Sequence, residues 1–337
     1  MLAPMTNTQS NDDGTLSDDE FHWLTMRAKG GFGLTMTCAS HVQEMGKGFP
    51  GQLGCFDEKH FKGHARLASA IKRHGSLAVL QLHHAGMRSP KAIIGENPVC
   101  PSANEKHGAQ AMARADVIQL REDFIKAAVR AKAAGYDGVE VHGAHGYILT
   151  QFLSSEINHR NDEYGGSLEN RARIIFEIVS GIRANCGSGF LLGVRLSPER
   201  FGMELNEVKA VSQQLLDGGQ IDFLDISLWD VFKIPEGDTP KSKSLMEHFT
   251  ELNRGSVRLT VAGKIMTAHD VAKVLNSNVD FVTIGRAAII HHNFPHLVMN
   301  NSDFSPVQTP VSEGYLKNEG LGEKMITYMK RWPKFVE

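Results

Sequence analysis

The chain has 337 residues, 41% of them hydrophobic and 22% charged, and a formal net charge of −2. That balance suits a soluble domain large enough to bury a core, and gives no bulk electrostatic reason to bind nucleic acid or an anionic membrane. Cys38, Cys55, Cys100 and Cys186 form no CxxC pair, which argues against a disulfide scaffold, a zinc ribbon or an iron–sulfur cluster.

Seven short apolar runs are predicted as strands: Gly33–Ser40, Ser76–Leu82, Gly138–His142, Phe190–Leu196, Phe223–Leu228, Arg258–Lys264 and Phe281–Gly285. Most are near-continuous in apolar character, as expected of parallel strands covered on both faces. Helical patterns lie between them, over Asp57–His74, Arg121–Ala134, Ser167–Asn185, Leu205–Asp217 and Thr267–Leu275. Gly135 reads as a C-cap and Thr267 as an N-cap. Strand alternating with helix gives βαβ units, and Met1–Pro4 supplies the tail of an eighth strand. The expectation is a single (β/α)8 TIM barrel over residues 1–337. It is preferred to an open doubly wound sheet because polar candidates gather at the C-terminal ends of several strands. Lys91–Arg114 reads as a long loop covering the barrel mouth, and Asp230–Ser244 as another. The run Glu323–Trp332 reads as packing on its own barrel. No apolar stretch reaches the roughly 18 residues of a membrane span, and no leader pattern is visible, so a cytoplasmic protein is expected.

The strongest chemical signal is VHGAHGY at Val141–Tyr147, running into Gln151–Arg173. His142 and His145 leave a strand end three residues apart, with Tyr147 two further on. Two imidazole N–H groups could grip one substrate oxygen, and the phenol could donate a proton. Taken alone, HxxH is more often a packed or surface pair. A metal site with Glu140, His159 and Asp162 nearby is the rival reading, although the spacing matches no zinc pattern. Gln81 and Arg195 interrupt apolar strands, which is costly unless they face a polar interior site. Gly263 and Gly285 alone read as tight turns, Arg286 as a surface cation, and His83 and His84 as structural.

The stretch VHGAHGYILTQFLSSEINHRNDEYGGSLENR resembles the signature of the Old Yellow Enzyme family, with weaker matches in order from Ala3 to about Arg286. The resemblance implies a barrel with bound FMN, NADPH or NADH as reductant, and reduction of activated C=C bonds in a small electrophilic alkene or nitro compound. By the same resemblance Ala3, Pro4, Met5 and Thr6 lie against the flavin ring, as does Ala39. Gln81 bonds its pyrimidine edge, Arg195 sits near N1 and O2, and Gly263, Gly285 and Arg286 form the phosphate site. His142 serves both cofactor and catalysis. His142 and His145 hold the substrate oxygen, and Tyr147 protonates the α-carbon. Family members carry a further N-terminal segment, whereas only Met1–Leu2 precede Ala3 here, so the first strand reads as truncated. A flavin-free metal-dependent lyase and a degenerate non-catalytic barrel are the alternative functions. Homo-oligomerisation, the choice of nicotinamide and the physiological substrate are not legible.

Overall fold

The computed structural model describes residues 1–236 and 243–337. Seven parallel strands form one sheet in chain order: β1 Leu34–His41, β2 Leu77–His83, β3 Gly138–Gly143, β4 Leu191–Leu196, β5 Phe223–Ser227, β6 Arg258–Ala262 and β7 Phe281–Thr283. The sheet curls until its edges meet across the N-terminal residues. Leu2 bridges in parallel to Thr35 on one side and to Ile284 on the other. Leu2 N donates to Leu34 O at 2.8 Å, and Ala3 N to Ile284 O at 2.9 Å. Met1–Ala3 thus takes the eighth position of a (β/α)8 barrel.

The seven expected strands match the observed ones to within two residues at either end. Parallel pairing explains their apolar character. Outward side chains pack under the helices, while inward ones fill the barrel. Met1, Met36, Val79 and Phe223 form a separate apolar plug inside the barrel, flanked by Leu34 and Phe281. Gly193 belongs to this packing, because a Cβ there would stand 2.1 Å from the Phe223 ring.

Helices Phe61–Lys72, Arg114–Ala133, Leu168–Cys186, Leu205–Asp217 and Ala268–Leu275 lie where periodicity places them. Thr267 caps the last, accepting from Asp270 N. Gly135 adopts φ 89° just past its helix, the left-handed turn that favours glycine. Arg114–Ala133 starts seven residues earlier than periodicity suggests, so the loop before it is shorter. Its two-residue strands Val99–Cys100 and Gln110–Ala111 pair with each other. Arg160 then ties the segment down by donating to Pro101 O at 2.9 Å and to Met112 O at 2.5 Å. Of the second expected loop, residues 237–242 lie outside the described residues.

The C-terminal helix Glu323–Met329 packs on its own barrel, with Met325, Ile326 and Met329 buried. No described helix is long and apolar enough to cross a membrane.

Candidate active site

The strand ends bring the polar residues together. Register sets His142 on β3 opposite Arg195 on β4, and Arg195 opposite Asp225 on β5. Just beyond β3 the chain turns sharply: His145 takes φ 64° and Gly146 φ 72°. A histidine in this left-handed region costs about 1 kcal/mol or more, so surrounding contacts must hold it. They are present. His145 N donates to Ser197 Oγ at 3.0 Å, and the Arg88 guanidinium donates to His145 O.

Three imidazoles and a serine form a continuous chain. His83 Nδ1 lies 3.0 Å from His142 Nδ1, His142 Nε2 lies 3.0 Å from His145 Nδ1, and His145 Nε2 lies 2.7 Å from Ser227 Oγ. Burial pushes His145 down to about 3, helped by the Arg195 and Arg88 charges. Burial and its imidazole neighbours hold His142 well below the ordinary histidine range. His83 is lowered for the same reasons. All three are therefore neutral near pH 7, each with one N–H to give and one lone pair to receive.

Tyr147 stands beside this chain. Its ring meets His83 edge-on at a centroid distance of 4.4 Å and His142 at 5.2 Å. The Arg88 guanidinium sits 4.7 Å from the ring centroid. Burial raises the Tyr147 phenol above its usual value, with Arg88 pulling the other way, so it stays protonated at neutral pH. It can donate a proton.

Two cavities meet at His145. One, of about 310 Å³, is walled by Ala3, Pro4, Met5, Thr6, Arg195, Gly263, Gly285 and Arg286, with Trp332 of the C-terminal segment. The other, of about 330 Å³, holds Tyr147, Arg88, Arg200 and Phe201. His145, Ser227, Trp229 and Trp332 line both.

Eight of the eleven residues expected to hold a cofactor thus line the first cavity. Ala39, Gln81 and His142 do not. Ala39 pairs in register with Gln81, and Gln81 spends its amide on Glu140 Oε1 at 2.7 Å, 1% exposed. His142 is buried behind His145. The metal reading of this motif finds no ligand set: among the described residues no three of its residue types converge on one point. His83, expected to be structural, is in contact with both His142 and Tyr147. Ser227, Arg88, Trp229 and Trp332 carried no motif, although Ser227 had one usable signal, its place at the end of a barrel strand. His84 is structural, accepting from Gly86 N at 2.9 Å.

Residues 1–303 match the NADH:flavin oxidoreductase / NADH oxidase family. The chain is 34% identical over 304 residues to a probable NADH-dependent flavin oxidoreductase YqiG of Bacillus subtilis, covering 87% of this chain and 81% of that protein. Among solved structures it superposes on an Old Yellow Enzyme homologue from Zymomonas mobilis with a TM-score of 0.79 at 25% identity, over 94% and 93% of the two chains. The chain belongs to the Old Yellow Enzyme family. A 2-naphthoyl-CoA reductase complex gives a TM-score of 0.80 at 26% identity over 89% of this chain, which spans 49% of that longer one. As an Old Yellow Enzyme member the protein is an FMN-dependent NAD(P)H oxidoreductase.

The first cavity suits FMN by its own chemistry. Arg195, Lys264 and Arg286 are on its wall and, among the described residues, no carboxylate is, which fits an anionic group with a phosphate tail. At Gly263, φ is 151° and a Cβ would stand 2.8 Å from the Asp230 and Trp229 backbone. Only a bare backbone closes that turn beside the cavity.

Proposed function

We propose that this protein reduces the activated C=C bond of an α,β-unsaturated carbonyl or nitro compound. The observation that carries the reading is the sharing of His145 by two cavities: the cationic one that suits FMN and the one that holds Tyr147. In this reading Ala3–Thr6, Arg195, Gly263, Gly285 and Arg286 hold the cofactor. The FMN they would hold would supply the hydride chemistry, taken from NAD(P)H and given to the β-carbon of the alkene.

His145, supported by His142, donates to the carbonyl or nitro oxygen. Because both imidazoles are neutral, they stabilise developing negative charge by hydrogen bonding without giving up a proton outright. To do so His145 Nε2 leaves Ser227, which keeps Arg195 as its donor at 3.4 Å. Tyr147 delivers its phenolic proton to the α-carbon as general acid. Arg88 over the ring makes the phenolate left behind less costly.

The test is anaerobic. Enzyme reduced with NADH or NADPH is mixed with 2-cyclohexenone, with oxygen excluded. Return of the oxidised flavin spectrum with formation of the saturated ketone supports the reading. A flavin that stays reduced until oxygen is admitted would leave an oxidase without ene-reduction.

A further inference from the structure

Beneath the cofactor cavity two carboxyl groups lie buried in the barrel. Asp225 is fully buried, one inward position deeper on β5 than Ser227, and its Oδ2 lies 3.2 Å from Arg195 Nε. Arg195 lines the cavity and Asp225 does not. Glu140, also 0% exposed, accepts from Gln81 Nε2. Among the described residues, Glu140 Oε2 and both Asp225 oxygens have no hydrogen-bond partner.

Burial pushes the Met1 amino group that faces Asp225 down to about 5, so it is neutral near pH 7, and two ionised carboxylates against one guanidinium would leave a net negative charge in the barrel core, far from water. One proton on the pair removes it. The cation decides which group carries that proton. Asp225 forms the direct ion pair with Arg195, whereas Glu140 feels that charge without pairing to it and is bonded to the neutral Gln81 amide. Burial raises both carboxyls, and burial with the neighbouring Asp225 carries Glu140 well above the usual range. Glu140 is therefore the neutral member, and Asp225 the counter-ion of Arg195.

We propose that Asp225 is a positioning residue for the flavin, offsetting part of the Arg195 charge and so holding the cofactor's reduction potential down. The proposal rests on the reading that Arg195 faces the flavin. A cation beside the ring favours the electron-rich reduced cofactor. Its counter-ion, one layer deeper, weakens that preference.

Redox titration of the holoenzyme tests this on three variants. Glu140→Gln replaces a neutral acid by a neutral amide. Asp225→Asn alone would let Glu140 ionise in its place, so the informative comparison is Glu140→Gln against Glu140→Gln/Asp225→Asn. The double variant should raise the two-electron midpoint potential by about 30 mV or more, a tenfold shift toward the reduced form. Glu140→Gln alone should move it by less than a third of that. An unchanged or lowered potential in the double variant overturns the proposal. Arg195→Gln separates the two layers of the argument. If it changes neither potential nor FMN affinity, the placement of Arg195 is what failed. If it changes either while the double variant does not, the role of Asp225 failed. Should the double variant not fold or not hold FMN, infrared spectroscopy of the parent decides. The protonated carboxylic acid C=O stretch should be present at neutral pH and vanish in Glu140→Gln; its absence from the parent, or its survival in the variant, contradicts the assignment.

Discussion

Asn158 holds two segments of the chain together with one amide: its Nδ2 donates to Phe152 O and to Tyr164 O, each at 2.7 Å. This clasp lies in the second half of the long motif that begins with His142 and Tyr147, and it touches neither cavity. Arg171 does similar work, pairing its Nη2 with Glu207 Oε1 at 2.6 Å. In the proposed reading the motif therefore joins a catalytic first half to a structural second half. Asn158→Ala removes the buried amide and would leave the Phe152 and Tyr164 carbonyls without their donor, which should cost about 2–3 kcal/mol of stability, with KM and kcat little changed. Denaturant unfolding measures the first and steady-state kinetics the second. A loss of activity with unchanged stability would place Asn158 in the chemistry instead.

Gly263 should be needed for the cofactor more than for the fold. A methyl group there meets backbone at 2.8 Å, so the Gly263 backbone or the turn at Trp229–Asp230 beside the cavity must shift. Gly263→Ala is expected to weaken FMN binding about tenfold or more, equivalent to about 1.4 kcal/mol. Fluorescence titration of the apoprotein with FMN reads this directly, and affinity within twofold of the parent would show that this turn does not approach the phosphate.

Acid should unfold the protein through its histidines. Burial holds His41 and His64 at about 4, and His84 and His145 at about 3. An unfolded histidine titrates near 6.5. Between these values the unfolded chain binds the extra protons, so stability is complete above about 6.5 and is lost as pH falls toward 4. Each histidine contributes about 1.4 kcal/mol per pH unit across that window. The denaturation midpoint should therefore be clearly lower at pH 5 than at pH 7. Equal midpoints would mean that these imidazoles are already charged or solvated in the folded protein.

The barrel was legible because its strands are covered on both faces and read as unbroken apolar runs. The first helix, Asp18–Lys29, was not. It buries Glu20 and Arg27, which hides its apolar stripe. Arg27 stacks on Trp23 one turn earlier at 3.1 Å and donates to Ala288 O, 261 positions along the chain, a contact that no local pattern announces. The same limit applied at the site. His142, His145 and Tyr147 stood out through their spacing in one segment. His83, Ser227 and Arg88 come from separate strands and loops, and only the curling of the sheet brings them to the same histidines. Gln81 was visible as a polar break in an apolar strand, but its partner Glu140, 59 positions along the chain, was not.

The central claim is that Tyr147 gives the proton while the histidines hold the oxygen. Stopped-flow kinetics of Tyr147→Phe, following the two half-reactions separately with NADPH or NADH and then with 2-cyclohexenone, tests it most directly. The oxidative half-reaction should slow by about 10²-fold or more, the range of a lost general acid, while flavin reduction stays within about twofold. Equal slowing of both half-reactions, or no slowing of the second, would contradict the role assigned to Tyr147.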